Sequence, residues 1–114
     1  MTWYLTIRSD DAYSHAVSTD RVVEFLSLLP GLQQADASTF KGAAGQPWLQ
    51  VVVADCDTQG NYTGRDEAPA QVRLIELLCS DDGPKDWYEE LAIRIADYVG
   101  WSVHEDIDDR QVWP

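Results

Sequence analysis

Basic residues are scarce in this sequence. Lys and Arg together number 8, whereas Asp and Glu number 20, and the formal net charge at pH 7 is −12. Nucleic acids and anionic membranes are bound through Lys and Arg, so this balance argues against both as direct partners. A basic protein would instead be attracted over a long range. The alternative explanation of the same acidity is that it only aids solubility.

Long apolar runs and cofactor motifs are also missing. No apolar run reaches the ~18 residues that span a bilayer, and the first residues lack the cationic and apolar regions of a signal peptide, so we expect a cytoplasmic protein. The two cysteines, Cys56 and Cys79, have no CxxC context, and the sequence leaves open whether they lie close in space. Because GxGxxG and P-loop motifs are absent as well, we expect neither a cofactor nor a metal.

The periodicity of the apolar residues predicts the fold class. The 114 residues suit a single domain over residues 1–114, and a hydrophobic fraction of 45% is enough for a core. Strands are predicted near 2–9, 47–56, 71–80 and 101–105, with a weaker candidate at 35–41. Helices are predicted from Ser18 or Thr19 to Pro30, and from Pro84 to Val99 with Gly100 as a left-handed stop. The economical arrangement of this β-α-β-β-β-α-β order is an α+β fold of two layers. Both helices then pack on one face of a mostly antiparallel sheet.

The other face of the predicted sheet is not plainly polar. It would carry Trp48, Val52, Val72, Leu74 and Leu78, with Glu76 among them. If that face is open, it is an apolar patch of the kind that marks an interface. If loops cover it, the same residues belong to the core.

Two other kinds of site are weighed against simpler explanations. Residues 55–66 resemble a calcium loop, with Asp55, Asp57 and Asp66 at ligand positions and Gly60 at the sharp turn, but an ordinary hairpin loop explains the same letters. Catalysis would have to use the only imidazoles and a thiol. These are His15, His104 and Cys56, and no local motif supports such a role.

Three acidic clusters remain: Asp10–Asp11, Asp81–Asp82 and the run from Glu105 to Asp109. Carboxylates before a helix stabilise its N-terminus, which gives Asp81–Asp82 a structural task. Asp10–Asp11 fit the cap of a turn. The last cluster has no comparable local use, and its like charges repel one another.

Several stretches resemble a known group of bacterial proteins. The segments WYLTIRSDDAYS, GNYTG, RLIELLCS and WYEELAIRIADYVGWSVHEDIDDRQVW are similar to immunity proteins of contact-dependent growth inhibition and rearrangement-hotspot toxin systems. The resemblance implies a cytoplasmic inhibitor without catalysis of its own. Such a protein binds the C-terminal domain of its cognate toxin, often a basic nuclease, and blocks the active site. Cleavage of tRNA, cleavage of DNA and hydrolysis of NAD by that toxin all stay open, and so does the oligomeric state.

A toxin-binding surface is then expected from aromatic or apolar anchors and acidic charges. The candidate anchors are Tyr13, Ile93, Trp101 and Trp113, and the candidate charges are Asp10, Asp11, Glu105, Asp106, Asp108 and Asp109. For each tryptophan a place in the core is the favoured alternative. The rival functions are a small enzyme using His15, His104 or Cys56, and a calcium-binding or self-associating structural protein.

Overall fold

The structure, a computed structural model, describes residues 2–63, 69–106 and 110–113. Within these residues, two helices and nine strands follow one another. They are β1 (Thr2–Arg8), β2 (Val17–Ser18), α1 (Thr19–Ser27), β3 (Leu32–Asp36), β4 (Thr39–Gly42), β5 (Leu49–Ala54), β6 (Gln71–Val72), β7 (Leu74–Ser80), α2 (Lys85–Val99), β8 (Ser102–Glu105) and β9 (Arg110–Trp113).

Seven of the strands form one sheet in the order β3-β4-β5-β7-β1-β8-β9, and each neighbouring pair is antiparallel. Strands β2 and β6 form a separate two-stranded ribbon. The predicted α+β class, with helices packed on a mostly antiparallel sheet, is confirmed.

Side chains alternate between the two faces of the sheet, and one face forms the core. In β1, for example, Trp3, Leu5 and Ile7 are buried while the residues between them are not. These side chains pack with the buried residues of both helices, so α1 and α2 share one side of the sheet. Phe25 of α1 and Tyr98 of α2 also stack, with ring centroids 4.0 Å apart.

The predicted helix starts and the end of α2 agree with the structure, whereas α1 ends at Ser27, before the predicted stop at Pro30. Ser18 is the N-cap residue of α1, and Pro84 precedes the first turn of α2. Helix α2 ends at Gly100, whose φ of 78° is the left-handed conformation that glycine adopts without a Cβ clash. None of the helices in the described part of the chain is long and apolar enough to cross a membrane.

Five short strands differ from the sequence expectation: β2, β3, β4, β6 and β9. The weak strand predicted at 35–41 is divided between two strands: residues 35–36 end β3, residues 39–41 belong to β4, and residues 37–38 form the turn of this hairpin. Asp36 Oδ1 accepts a hydrogen bond from the Ser38 N–H at 3.0 Å and reverses the chain there. The ribbon strands β2 and β6, with two residues each, are too short to show a period. Strand β9 returns along β8 and extends the sheet beyond the predicted last strand.

Candidate protein-binding surface

The side of the sheet that faces away from the helices is partly uncovered. We call this side the open face and define it by seven residues of four adjacent strands: Tyr4, Thr6, Gln50, Val52, Glu76, Leu78 and His104. Register places them in two rows, Gln50–Leu78–Tyr4 and Val52–Glu76–Thr6–His104. Tyr4 is exposed and the other six are half-buried, so they are accessible to a partner.

Among the described residues, a loop covers one end of this face. Ala54 and Leu74 are the next residues on the same side of β5 and β7, and both are buried. The chain after β5 folds back over them, with a bridge between Cys56 and Tyr62 and a hydrogen bond from the Thr63 N–H to the Asp55 carbonyl oxygen at 3.0 Å. The sequence left open whether this face is core or interface. It is core at this end and accessible elsewhere.

Three exposed aromatic side chains mark the accessible part. Tyr4 lies on β1 and Tyr62 lies in the covering loop. Trp48 directly precedes β5, on the same side as Gln50 by alternation. Their exposed fractions are 37% for Tyr4, 53% for Tyr62 and 54% for Trp48. Tyr and Trp are the residue types that most often anchor protein interfaces, because they bury a large area with few rotatable bonds.

A single carboxylate lies among these rings in the middle of the sheet. Glu76 is flanked in register by uncharged Thr6 and Val52, and its Oε1 accepts a hydrogen bond from the Tyr62 hydroxyl. Burial, followed by that hydrogen bond and the charge of Glu76, raises the pKa of Tyr62, which therefore remains a donor at neutral pH. Among the ion pairs of the described residues, none involves Glu76.

Trp48 is held in place from the core side. The hydroxyl of the fully buried Tyr88 donates to the Trp48 carbonyl oxygen and accepts from the Ser80 N–H at 3.3 Å. The ring of Tyr88 packs edge-on against Trp3 and Trp87. Helix α2 therefore fixes the backbone that presents Trp48, although the Trp48 side chain itself is exposed.

Acidic residues lie at the end of the sheet where β7 stops and β1 begins. Asp81 and Asp82 follow β7 and are exposed. Asp106 follows β8, where its Oδ1 accepts from the Tyr4 N–H at 2.8 Å and its own N–H donates to the Tyr4 carbonyl oxygen at 3.2 Å. We call Asp81, Asp82 and Asp106 the acidic rim. Asp108 and Asp109 lie outside the described residues.

Glu105 does not contribute a surface charge, contrary to the expectation from the sequence. It faces the helices and is 3% exposed. Lys85 Nζ lies 3.2 Å from its Oε1, and Arg110 Nη2 and Nε both lie 3.1 Å from its Oε2. Burial raises the pKa of Glu105, but the hydrogen bonds and charges of Lys85 and Arg110 outweigh it, so that the pKa falls below its ordinary value.

Asp10, Asp11 and Tyr13 lie at the opposite end of β1 from the acidic rim. Strand β1 separates the two regions by about 13 Å between Tyr4 and Arg8. Asp10 closes a turn, as the sequence indicated: its carboxylate accepts from the Ala12 and Ser14 N–H groups at 2.9 and 3.1 Å and from the Ser14 hydroxyl.

The Ser14 hydroxyl leads these hydrogen bonds in lowering the pKa of Asp10. The exposed Asp11 pairs with Arg8 at 3.2 Å. Tyr13 has a φ of 55°, and its hydroxyl fills the space where a Cβ on Gly60 would lie. These three residues therefore serve the local loops and form no single surface with Asp106.

The three remaining apolar candidates belong to the helix side. Trp101 is 5% exposed and part of the core, which was the favoured alternative. Ile93, expected to be exposed on α2, is half-buried and packed against the core. Trp113 pairs with Val103 through β9 and is likewise half-buried, so it folds back onto the domain.

The histidine and cysteine geometry does not favour nucleophilic catalysis. Burial raises the pKa of the Cys56 thiol to about 11, so it is protonated at neutral pH. The Ser102 hydroxyl lies 3.2 Å from the Arg8 carbonyl oxygen, to which it donates. Because the hydroxyl proton is used in that bond, His104 Nε2, which lies 2.8 Å from the same hydroxyl, donates to it and does not act as its base.

His15 makes no better base for a serine. The carboxylate of Asp10 lies 3.8 Å from His15 Nδ1, the ring nitrogen that also faces Ser14 at 3.1 Å. A triad would place the carboxylate at the other ring nitrogen, where it orients the imidazole.

The loop after β5 is explained by its own hydrogen bonds. Asp57 Oδ1 accepts from the Gln59 and Asn61 N–H groups at 2.9 and 3.0 Å, and Gly60 has a φ of 83°. Asp55 pairs with Arg73. Over the described residues no group of three His, Cys, Asp or Glu side chains could hold a metal ion, and Asp66 lies outside those residues. Cys56 and Cys79 are free thiols.

Sequence reasoning missed Tyr4, Tyr62 and the acidic rim as one surface. The signal available was the parity of Trp48, Val52 and Glu76, which identified the second face. Parity cannot say which face the helices cover.

Comparison of the chain with family models, with curated proteins and with solved structures returned no match.

Proposed function

We propose that this protein is a cytoplasmic immunity protein that binds a cognate toxin domain and blocks the toxin's active site, without catalysis of its own. The open face, with its three exposed aromatic residues and the adjoining acidic rim, is the observation that carries this proposal. The resemblance of several segments to such immunity proteins is consistent with it.

Charge indicates what kind of toxin fits. A net charge of −12 attracts a basic partner and repels nucleic acid. A nuclease such as a tRNase presents Lys and Arg to the phosphates of its substrate. An acidic surface that occupies those side chains excludes the substrate, so inhibition follows from binding alone.

The proposed interface differs from the one expected from the sequence. It keeps Asp106, adds Asp81 and Asp82 as charges, and takes Tyr4, Trp48 and Tyr62 as anchors. Aromatic anchors set the lifetime of such a complex, whereas the charges around them mainly raise the association rate. Asp108 and Asp109 stay in the proposal as further charges on the strength of the sequence alone.

The experiment uses the protein encoded by the gene immediately upstream. Its C-terminal domain is expressed from an inducible promoter with and without this protein, and growth and complex formation are followed. We expect growth arrest that this protein relieves, together with a complex weakened by salt. If the two proteins form no complex at low salt, or if growth arrest persists despite co-expression, the proposed function is wrong.

A further inference from the structure

We infer that Glu76, Tyr4 and Tyr62 form a subsite for one arginine side chain of the protein partner. The inference rests on the proposed function for the identity of the partner, but the chemistry of the subsite can be tested without it. The three residues are defined here as the Glu76 subsite.

The central strand gives Glu76 an unusual environment. Strand interiors disfavour glutamate, and both residues opposite Glu76, Val52 and Thr6, are uncharged. The Tyr62 hydroxyl supplies its one hydrogen bond among the described residues, which leaves the carboxylate with free acceptor capacity. A half-buried carboxylate of this kind gains most from a partner that brings both a positive charge and several donors.

The aromatic neighbours decide between the basic side chains. Tyr4 lies opposite Leu78 in register, which makes it a diagonal neighbour of Glu76 on the same face, about 7–8 Å away between backbones. Tyr62 contacts Glu76 directly. A guanidinium group can stack on a ring face while its N–H groups bond to a carboxylate, whereas an ammonium group is more strongly hydrated and offers no plane to stack.

Within residues 2–63, 69–106 and 110–113, no basic side chain forms an ion pair with Glu76. Two described basic residues share this face. Arg8 is occupied by Asp11 at 3.2 Å and by the Tyr13 hydroxyl at 3.5 Å. Lys41 lies opposite Gln50 on β4, two strands away from Glu76. Arg73 is occupied by Asp55. An arginine from the partner is therefore the occupant that charge complementarity favours.

The test uses N-acetyl-arginine methylamide as the probe, titrated into the 15N-labelled protein. We expect saturable shifts of the amide signals of Glu76, Tyr4 and Tyr62, and a Kd about threefold weaker for the lysine analogue. Glu76→Gln should weaken arginine binding at least about fivefold. Glu90→Gln removes the same charge from the exposed outer side of α2 and should change the Kd less than twofold.

A second variant keeps the inference testable if Glu76→Gln does not fold. Tyr4→Leu preserves an apolar side chain, removes the ring, and should weaken binding about threefold. Equal effects of Glu76→Gln and Glu90→Gln, or shifts spread over α2 and the open face alike, would overturn the subsite. Relief of growth arrest by the wild-type protein alongside such a result would leave the proposed function intact. If the arginine probe binds at the Glu76 subsite but no complex with the toxin domain forms, the proposed function is wrong and the subsite is supported.

Discussion

Arg110 of the edge strand β9 donates to Glu105 of β8, with its Nε and Nη2 atoms both 3.1 Å from Glu105 Oε2. The same Arg110 reaches Glu89 of α2 at 3.1 Å, and Lys85 lies 3.2 Å from the other oxygen of Glu105. Four charges thereby fasten the β8–β9 hairpin to the first turns of α2. Asp106 of the acidic rim directly follows Glu105, the buried member of this cluster.

Glu105→Gln should lower the free energy of unfolding by about 1–2 kcal/mol, because it weakens hydrogen bonds to two charged partners that are themselves about half exposed. Urea denaturation measures the change. Glu90→Gln on the exposed side of α2 is the control and should alter the free energy by less than about 0.5 kcal/mol. Equal stability of Glu105→Gln and the wild type would mean that the ion cluster has no net effect.

The difference in the free energy of unfolding between the wild type and Glu105→Gln should depend on pH. The pKa of Glu105 is lower in the folded protein than in the unfolded chain, so its contribution is complete above the unfolded value and is lost as the pH falls through the folded value. Denaturation at pH 7 and at pH 3 should therefore show a larger gap between wild type and Glu105→Gln at pH 7. A gap that widens on acidification would have the wrong sign.

Tyr88→Phe should cost about 1–3 kcal/mol, since it leaves the Trp48 carbonyl oxygen and the Ser80 N–H without their buried partner. Because this hydroxyl fixes the backbone of Trp48, the intrinsic fluorescence of the folded protein should also change. Tyr98→Phe, at a 40% exposed position on α2, supplies the control for loss of a hydroxyl and should cost little. If Tyr88→Phe is as stable as this control, the two hydrogen bonds of the Tyr88 hydroxyl do not stabilise the fold.

Gly100→Ala should destabilise the protein by about 1 kcal/mol. The φ of 78° is unfavourable for any residue with a Cβ, and apart from the adjoining backbone no atom lies within 4 Å of the position that a Cβ would take. The cost is therefore one of backbone conformation alone. Gly100→Asn should recover part of it, because asparagine tolerates the left-handed region better than alanine does. Thermal denaturation should rank the melting temperatures as wild type, then Gly100→Asn, then Gly100→Ala. A higher melting temperature for Gly100→Ala than for Gly100→Asn would contradict the left-handed cap.

Association with the toxin domain should depend on the acidic rim. Asp81→Asn with Asp82→Asn should slow association about threefold at low salt and leave dissociation nearly unchanged. Glu90→Gln with Asp97→Asn removes the same number of charges from the exposed side of α2 and should slow association less. Surface plasmon resonance at two salt concentrations separates the cases. Identical association rates for the two double variants would show that only the net charge of the protein matters, and not the position of the acidic rim.

Local patterns in the sequence were enough to predict much of the fold. The alternation of apolar residues placed Trp3, Leu5 and Ile7 in the core. The helix stop at Gly100 could be predicted because it depends only on the local backbone conformation of that glycine. Glu105 could not be placed in the same way. Its partners Lys85 and Arg110 lie on other elements, and a carboxylate amid acidic neighbours resembles a solvated edge until those partners are known.

The binding surface was beyond the sequence for a related reason. Alternation assigns Tyr4 and Glu76 to one side of their strands, but which side is covered depends on how both helices and the loop after β5 pack. Tyr62 reaches Glu76 across 14 positions of the chain, from a loop with no period of its own.

The most direct test of the account is the affinity of the upstream-encoded toxin domain for two variants. Trp48→Ala with Tyr4→Ala truncates two anchors of the open face, and Leu28→Ala truncates a side chain that is 76% exposed just after α1, on the helix side. We expect the double variant to raise Kd at least about 30-fold, while Leu28→Ala changes it less than twofold. Unchanged affinity in the double variant, or a larger loss in Leu28→Ala, would contradict the open face as the toxin-binding surface.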